Sequence, residues 1–197
     1  MTFIKKALCG LVVALGIVAQ VNATPITFSF WGTATGSLGG QSFTDAAFSV
    51  TSLADTNNVH HNYIPGVDYV YANHSSISIA GFGLADFTIA ITDLVNRNIG
   101  AFLFSDPTQN RLIMSVANSD ALTYDLTSSI GPDSGPSNVN TTVFFGTSLG
   151  LLNLTNISEN NYQAVLGETT DVPEPGILML ILIGLGMMTF FVRRRTL

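Results

Sequence analysis

The sequence predicts an all-β fold, an antiparallel β-sandwich, for the ectodomain at residues 24–171. Apolar and polar residues alternate with a period of two in several short segments, which places one face of a strand on a core and the other in water. Turn-forming Gly, Asn and Ser residues separate these segments, and no helical period is sustained between residues 24 and 172. Eight to ten short strands of this kind fit a sandwich, and a closed barrel is the alternative.

The alternation predicts the strands in chain order. The alternating segments are residues 26–31, 48–51, 76–79, 86–92 and 122–127. Two further runs, residues 99–104 and 112–116, are apolar on both faces and predict central strands. Turn-forming residues between these two runs predict that they form a hairpin. Residues 142–145, 149–154 and 162–166 supply the last predicted strands.

Residues 1–23 predict a secretory signal peptide. Lys5 and Lys6 precede an apolar run, and Val21 and Ala23 occupy the small-residue positions of a cleavage site, so cleavage is expected after Ala23. An uncleaved anchor is the alternative, but the apolar run is short for one. The sole cysteine, Cys9, lies inside this run, so the mature protein is expected to contain no disulfide.

The C-terminal residues predict a single membrane-spanning helix with a basic end. Residues 176–192 carry no charge and are near the lower length limit for a transmembrane helix. The basic tail, residues 193–197, begins with Arg193, Arg194 and Arg195, which favour the cytoplasmic side of the membrane. Pro173 and Pro175 disfavour helix just before the span.

Pro173, Glu174 and Pro175, the apolar span and the arginine cluster together resemble the PEP-CTERM sorting signal, here residues 172–197. Proteins of many Gram-negative bacteria that produce exopolysaccharide carry this signal. The resemblance implies export through the Sec machinery, transient residence in the inner membrane, and processing around the Pro-Glu-Pro motif by the transpeptidase-like enzyme exosortase. The expected destination is the cell surface or the extracellular space. An ordinary tail anchor behind a proline-rich linker is the alternative.

The charge distribution excludes one class of function. Residues 24–172 contain twelve acidic residues and only two basic ones, Arg97 and Arg111, which gives a net charge of −10, against −6 for the whole chain. Because phosphate contacts require Lys and Arg, nucleic-acid binding is not expected.

The richest set of polar and aromatic residues lies between Asp55 and His74, which the sequence predicts to be a long loop. The candidate ligand residues of this loop are His60, His61, Tyr63, Asp68 and His74. Its tyrosines suit stacking on sugar rings, although Tyr69 and Tyr71 also fit one core-facing side of a strand at residues 67–72. His60 and His61 point to opposite sides in an extended chain, so a metal site is not expected.

No catalytic residues and no cofactor are predicted, because no paired-acid motif and no G-x-S-x-G elbow is present. We therefore expect a non-enzymatic surface or matrix protein associated with exopolysaccharide or biofilm. The alternative is a carbohydrate-active or metal-dependent enzyme delivered by the same tail.

Overall fold

The computed structural model describes residues 24–167 of the 197-residue chain. The predicted signal peptide, the sorting motif at 173–175, the predicted transmembrane helix 176–192 and the basic tail lie outside the described residues. Within residues 24–167, no helix is long and apolar enough to cross a membrane.

The described chain contains thirteen strands and two short 3-10 turns. The strands are β1 (Pro25–Leu38), β2 (Gln41–Asp55), β3 (His60–Ile64), β4 (Val67–Tyr71), β5 (His74–Ile79), β6 (Gly83–Asp86), β7 (Thr92–Asn96), β8 (Ala101–Asp106), β9 (Arg111–Ala117), β10 (Ile130–Ser134), β11 (Ser137–Val139), β12 (Phe145–Thr147) and β13 (Gly150–Leu166). The 3-10 turns are Thr56–Asn58 and Ser119–Leu122.

The strands form two antiparallel sheets. The first sheet has the order β10-β13-β1-β2-β5-β6, with β12 also paired to β13. The second sheet has the order β11-β9-β8-β7-β4-β3, so β3 is an edge strand. The prediction of antiparallel β structure is confirmed, and so is the predicted hairpin, because β8 and β9 pair directly.

Aromatic side chains from both sheets meet in one core. Phe28 and Phe30 of β1 are fully buried, as the period-two pattern predicts. The Tyr162 ring of β13 stacks on the Phe102 ring of β8, with ring centroids 3.9 Å apart. The Phe30 ring lies 5.9 Å from that of Phe104, also on β8. The inner faces of the two sheets therefore share one layer of apolar side chains.

The first sheet also closes on itself at one end. Phe87, directly after β6, forms an isolated bridge with Thr147 of β12. The Ser148 N–H donates to the Asp86 carbonyl at 2.8 Å, and the Thr88 N–H donates to the Gly146 carbonyl at 3.0 Å. These bonds connect the end of β6 to β12, and β12 pairs with β13. The strands therefore form a ring in the order β13, β1, β2, β5, β6 and β12.

Several predicted elements were wrong. Residues 55–74 are not a loop, because they contain the hairpin β3–β4 and the start of β5. The alternation at residues 87–91 does not continue a strand, since this segment carries the chain from the first sheet to the second. Residues 122–127 also connect the two sheets. Their alternation reflects burial of Tyr124 and Leu126 from an irregular segment. The last two predicted strands are a single strand, β13.

Candidate functional site: an aromatic patch and its anchor

The hairpin β3–β4 separates its side chains onto two faces. All five residues of β3 are exposed, and His60 pairs directly with Tyr69 across the hairpin. On β4, Val70 is fully buried, so Tyr69 and Tyr71 lie on the outer face of the second sheet. The predicted strand at 67–72 is therefore confirmed for Val67–Tyr71, but the expectation that its tyrosines pack on the core is wrong.

Four side chains on this outer face form what we call the aromatic patch: His60, Tyr63, Tyr69 and Tyr71. The His60 ring stacks on the Tyr69 ring, with centroids 4.7 Å apart. Tyr63 and Tyr71 each meet Tyr69 edge-on, at centroid distances of 5.3 and 5.5 Å. Tyr63 is 72% exposed and Tyr71 is 48% exposed, so these two rings present most of the accessible aromatic surface.

The patch remains uncharged at its centre. Burial, together with the neighbouring tyrosines Tyr71 and Tyr63, raises the pKa of Tyr69. Its phenol is therefore protonated at neutral pH.

The aromatic patch continues across the sheet as a shallow apolar row. Leu94 of β7 lies opposite Tyr69, and Leu103 of β8 lies opposite Leu94. Both leucines are partly exposed on the outer face. Since neighbouring strands lie about 4.8 Å apart, the row from His60 to Leu103 extends roughly 14 Å across four strands.

Behind the patch, Asp68 is held by what we call the Asp68–Arg97 anchor. The Asp68 carboxylate is fully buried and is hydrogen-bonded by the Arg97 guanidinium. It also accepts the Asn62 N–H at 2.7 Å and lies 3.3 Å from His61 Nδ1. Burial alone would raise the pKa of Asp68, but the bonds from Asn62, His61 and Arg97 outweigh it and lower the pKa below its usual value.

The same anchor fixes the turn of the hairpin. The Arg97 N–H donates to the Gly66 carbonyl at 2.8 Å, and Asn98 Nδ2 donates to the Pro65 carbonyl at 2.8 Å. Gly66 has a φ of +78°, and a Cβ there would lie 2.5 Å from Asn98 Oδ1, so this position requires glycine. The β3–β4 turn is thus bound to the β7–β8 turn.

Four of the five candidate ligand residues lie on the hairpin β3–β4, but they are divided between its two faces. His60 and Tyr63 lie in the aromatic patch, whereas His61 and Asp68 lie on the opposite face, as the extended geometry of His60 and His61 predicts. His74 does not join them. It belongs to β5 of the first sheet, where its Nε2 lies 3.2 Å from the exposed Asp86 carboxylate. Within residues 24–167, no group of three or more His, Cys, Asp or Glu residues could hold a metal ion.

Two residues of this region escaped sequence-based prediction. Arg97 lies 29 residues from Asp68, and the available signal was its rarity, since it is one of two basic residues in the acidic segment. Asp93 of β7 is a second buried carboxyl group. It accepts a hydrogen bond from Ser52 of the first sheet, and its Oδ1 has no partner among the described residues. Burial raises the pKa of Asp93 to about 7, although the Ser52 bond opposes the rise.

Two surface cavities lie away from the aromatic patch. One, of about 290 Å³, is lined by Ile99, Gly100, Ala117, Asn118, Ser119 and Leu122. Another, of about 260 Å³, is lined by Leu38, Gly39, Gln41, Gly81, Phe82 and Leu149. Neither lining contains a titratable side chain.

Comparison with known proteins identifies the C-terminal tail. A search of curated proteins gives no match. A solved structure of a DUF1329 family protein from Desulfovibrio piger aligns with 87% of this chain and 95% of its own. Its 7% identity and TM-score of 0.16 are too low to support any argument. Residues 171–195 match the family model of the PEP-CTERM protein-sorting motif. The chain therefore carries a PEP-CTERM sorting tail, which implies an exported protein that exosortase processes.

Proposed function

We propose that this chain is a non-enzymatic surface or matrix protein whose β-sandwich ectodomain is associated with extracellular polysaccharide. The sorting motif at residues 171–195 is the observation that carries this proposal. In the proposed route, the signal peptide is removed after Ala23 and the span at 176–192 holds the protein transiently in the inner membrane. Exosortase then acts near Pro173, Glu174 and Pro175, and the ectodomain reaches the cell surface or the medium.

Two buried carboxylates of the second sheet, Asp68 and Asp93, support a role without catalysis. The Asp68 carboxylate is hydrogen-bonded to the Arg97 guanidinium, and Asp93 is buried in the core beside Ser52. Neither carboxylate is exposed, so neither can meet a substrate at the surface. The net charge of −10 over residues 24–172 also favours solubility in a crowded extracellular layer.

The proposed route is tested by intact mass measurement of the protein in the medium, outer-surface and inner-membrane fractions of its native host. We expect a species that begins at Thr24 and lacks the residues after about Pro175. Replacing Pro173, Glu174 and Pro175 with Ala should leave a C-terminus that extends to Leu197 in the inner membrane. The matched control replaces Thr169 and Thr170, which lie just before the motif, and should be processed normally.

The same experiment has a contrary result. Recovery of wild-type protein only in the inner membrane, with Leu197 intact, would mean that the tail is an ordinary anchor.

The enzyme alternative is separated by replacing all three histidines, His60, His61 and His74, with Ala. A non-enzymatic protein should still reach the surface. The purified variant should match the wild type in assays of glycan hydrolysis and of ester hydrolysis. A metal-dependent or carbohydrate-active enzyme would show an activity that the triple variant loses.

A further inference from the structure

We infer that the aromatic patch binds an uncharged polysaccharide by stacking sugar rings on Tyr63 and Tyr71. This inference rests on the proposed function, because it identifies the surface through which the ectodomain contacts the matrix. Four observations support it: ring exposure, local charge, the size of the patch and the rigidity of its support.

The first observation is that the four rings differ in their exposure. Tyr69 is covered by His60 on one face and is contacted edge-on by Tyr63 and Tyr71. Tyr69 therefore supports the other rings, whereas Tyr63 and Tyr71 keep exposed faces for a ligand. The C–H groups of a sugar ring pack against an aromatic face, and phenol and imidazole groups at the rim can bond its hydroxyls. Tyr also supplies contact area at a low cost in conformational entropy.

The second observation is the charge around the patch. The patch itself contains no Lys, Arg, Asp or Glu, and the nearby guanidinium of Arg97 is bound to Asp68 behind it. The net charge of −10 over residues 24–172 repels polyanions such as acidic polysaccharides, nucleic acids and anionic lipid surfaces. An uncharged glycan meets no such electrostatic penalty at this surface.

The third observation is size. A fully exposed aromatic side chain offers about 150–250 Å², so four partly exposed rings offer on the order of 400 Å². A stable protein–protein interface buries about 800 Å² on each partner. The four rings alone are therefore too small for a stable contact with a second copy of the chain, whose negative charge would add repulsion. The patch suits a few consecutive sugar rings.

The fourth observation is rigidity. The Asp68–Arg97 anchor binds the backbone of Asn62 and the turn at Gly66, so the strand that carries His60 and Tyr63 is held in place before any ligand arrives. A surface that is already ordered loses less entropy on binding.

The test is affinity gel electrophoresis of the purified full-length protein in detergent. The gels contain hydroxyethylcellulose or galactomannan as neutral polymers, or alginate as a polyanion. We expect retardation by at least one neutral polymer, unchanged by EDTA or by high salt. Replacing both Tyr63 and Tyr71 with Ala should weaken that binding about tenfold or more, because two exposed aromatic faces are lost. Tyr63→Phe, which keeps the ring, should retain most of the affinity.

The matched control is Phe144→Ala. Phe144 is 58% exposed and lies outside the patch, before β12, so its loss should leave binding unchanged. Circular dichroism should confirm that every variant is folded.

The inference would be overturned by wild-type protein that no neutral polymer retards, or by a double tyrosine variant that binds as well as the wild type. Salt-sensitive binding to alginate alone would also overturn it. The sorting experiment is scored by mass and cell fraction, so it fails or succeeds independently of this one.

Discussion

Asp68 and Asp93 differ in their partners more than in their positions. They lie on adjacent strands, β4 and β7, and each faces a buried valine across the strand pair, Val95 and Val70 respectively. Both carboxyl groups are almost completely inaccessible to solvent. Nevertheless the pKa of Asp68 is lowered, whereas the pKa of Asp93 is raised to about 7. Burial alone therefore does not decide the charge of a carboxyl group.

The difference arises from the donors around each group. Asp68 lies near the end of the sheet, where Arg97, Asn62 and His61 can reach it. Asp93 lies two residues further along the same face and meets one neutral donor, the Ser52 hydroxyl. A charged partner and a backbone N–H compensate for lost water, whereas a single hydroxyl does not. The comparison predicts opposite responses to mutation and to pH.

The largest expected effect comes from removing the charged partner of Asp68. Arg97→Met leaves a buried carboxylate without its guanidinium, and we expect the free energy of unfolding to fall by about 3–5 kcal/mol. Urea denaturation followed by the fluorescence of Trp31, the sole tryptophan, measures this change. The matched control is Arg111→Met, since Arg111 is exposed at the start of β9 and should change stability by less than about 0.5 kcal/mol. Equal effects of the two substitutions would contradict the anchor.

The next largest expected effect concerns the pH dependence of the free energy of unfolding, to which Asp93 contributes. Its pKa in the folded protein is about 7, above the ordinary value of 3.8, so folding favours the protonated form. The contribution of Asp93 to the free energy of unfolding is therefore complete below about pH 4. It declines as the pH rises to about 7, by at most roughly 4 kcal/mol. Asp93→Asn should remove the decline, which denaturation curves recorded across this range would show.

Asp68 provides an internal contrast for the same measurement. Because its pKa is lowered, its contribution to stability is present above about pH 4 and is lost as the pH falls further. The two carboxyl groups therefore act in different pH ranges. A decline between about pH 4 and pH 7 that persists in Asp93→Asn would have to come from other groups.

A smaller effect is expected when Asp93 loses its hydroxyl donor. Ser52→Ala removes the bond that opposes the rise in the pKa of Asp93, so the decline in stability should extend to higher pH. We also expect a loss of about 1–3 kcal/mol at neutral pH, because a buried acceptor loses its partner. Ser75→Ala is the control, since Ser75 donates to Ser52 rather than to Asp93. Its pH profile should keep the wild-type midpoint.

The smallest expected effect is that of His61→Ala. His61 is half exposed and lies 3.3 Å from the Asp68 carboxylate, so solvent screens their interaction. The free energy of unfolding should change by less than about 1 kcal/mol, and high salt should abolish the difference. A loss as large as that of Arg97→Met would show that His61, and not Arg97, supplies the main compensation for Asp68.

The strands that were predictable are those whose local pattern matches their environment. In β1, Ile26, Phe28 and Phe30 face the core and their polar neighbours do not, so period two was a direct signal. The hairpin β8–β9 was predictable because turn residues separate two apolar runs. The sorting tail was predictable because its signal is linear and needs no folded partner.

The hairpin β3–β4 was missed because its sequence looks like a loop. It is rich in His, Asn, Pro and Gly, and β3 buries none of its residues. Its strand conformation depends on Arg97 and Asn98, more than 30 residues away from its turn at Pro65 and Gly66. A one-dimensional pattern cannot encode such a contact. The sequence therefore indicated the histidine and the tyrosines as candidates, but it could not predict their arrangement on one outer face or the depth of Asp93.

The closure of the first sheet and the shape of β3 have a consequence for contacts between neighbouring copies of the protein. A free strand edge exposes unpaired N–H and C=O groups that can pair with another molecule. In the first sheet, the Phe87–Thr147 bridge and the Ser148–Asp86 bond occupy backbone groups at the end of β6. In the second sheet, Asn62 in the middle of β3 has a φ of +51°, and the pairing register shifts around it. Such a bulge resists strand addition, so both features hinder neighbouring copies from pairing with the edges at β6 and β3.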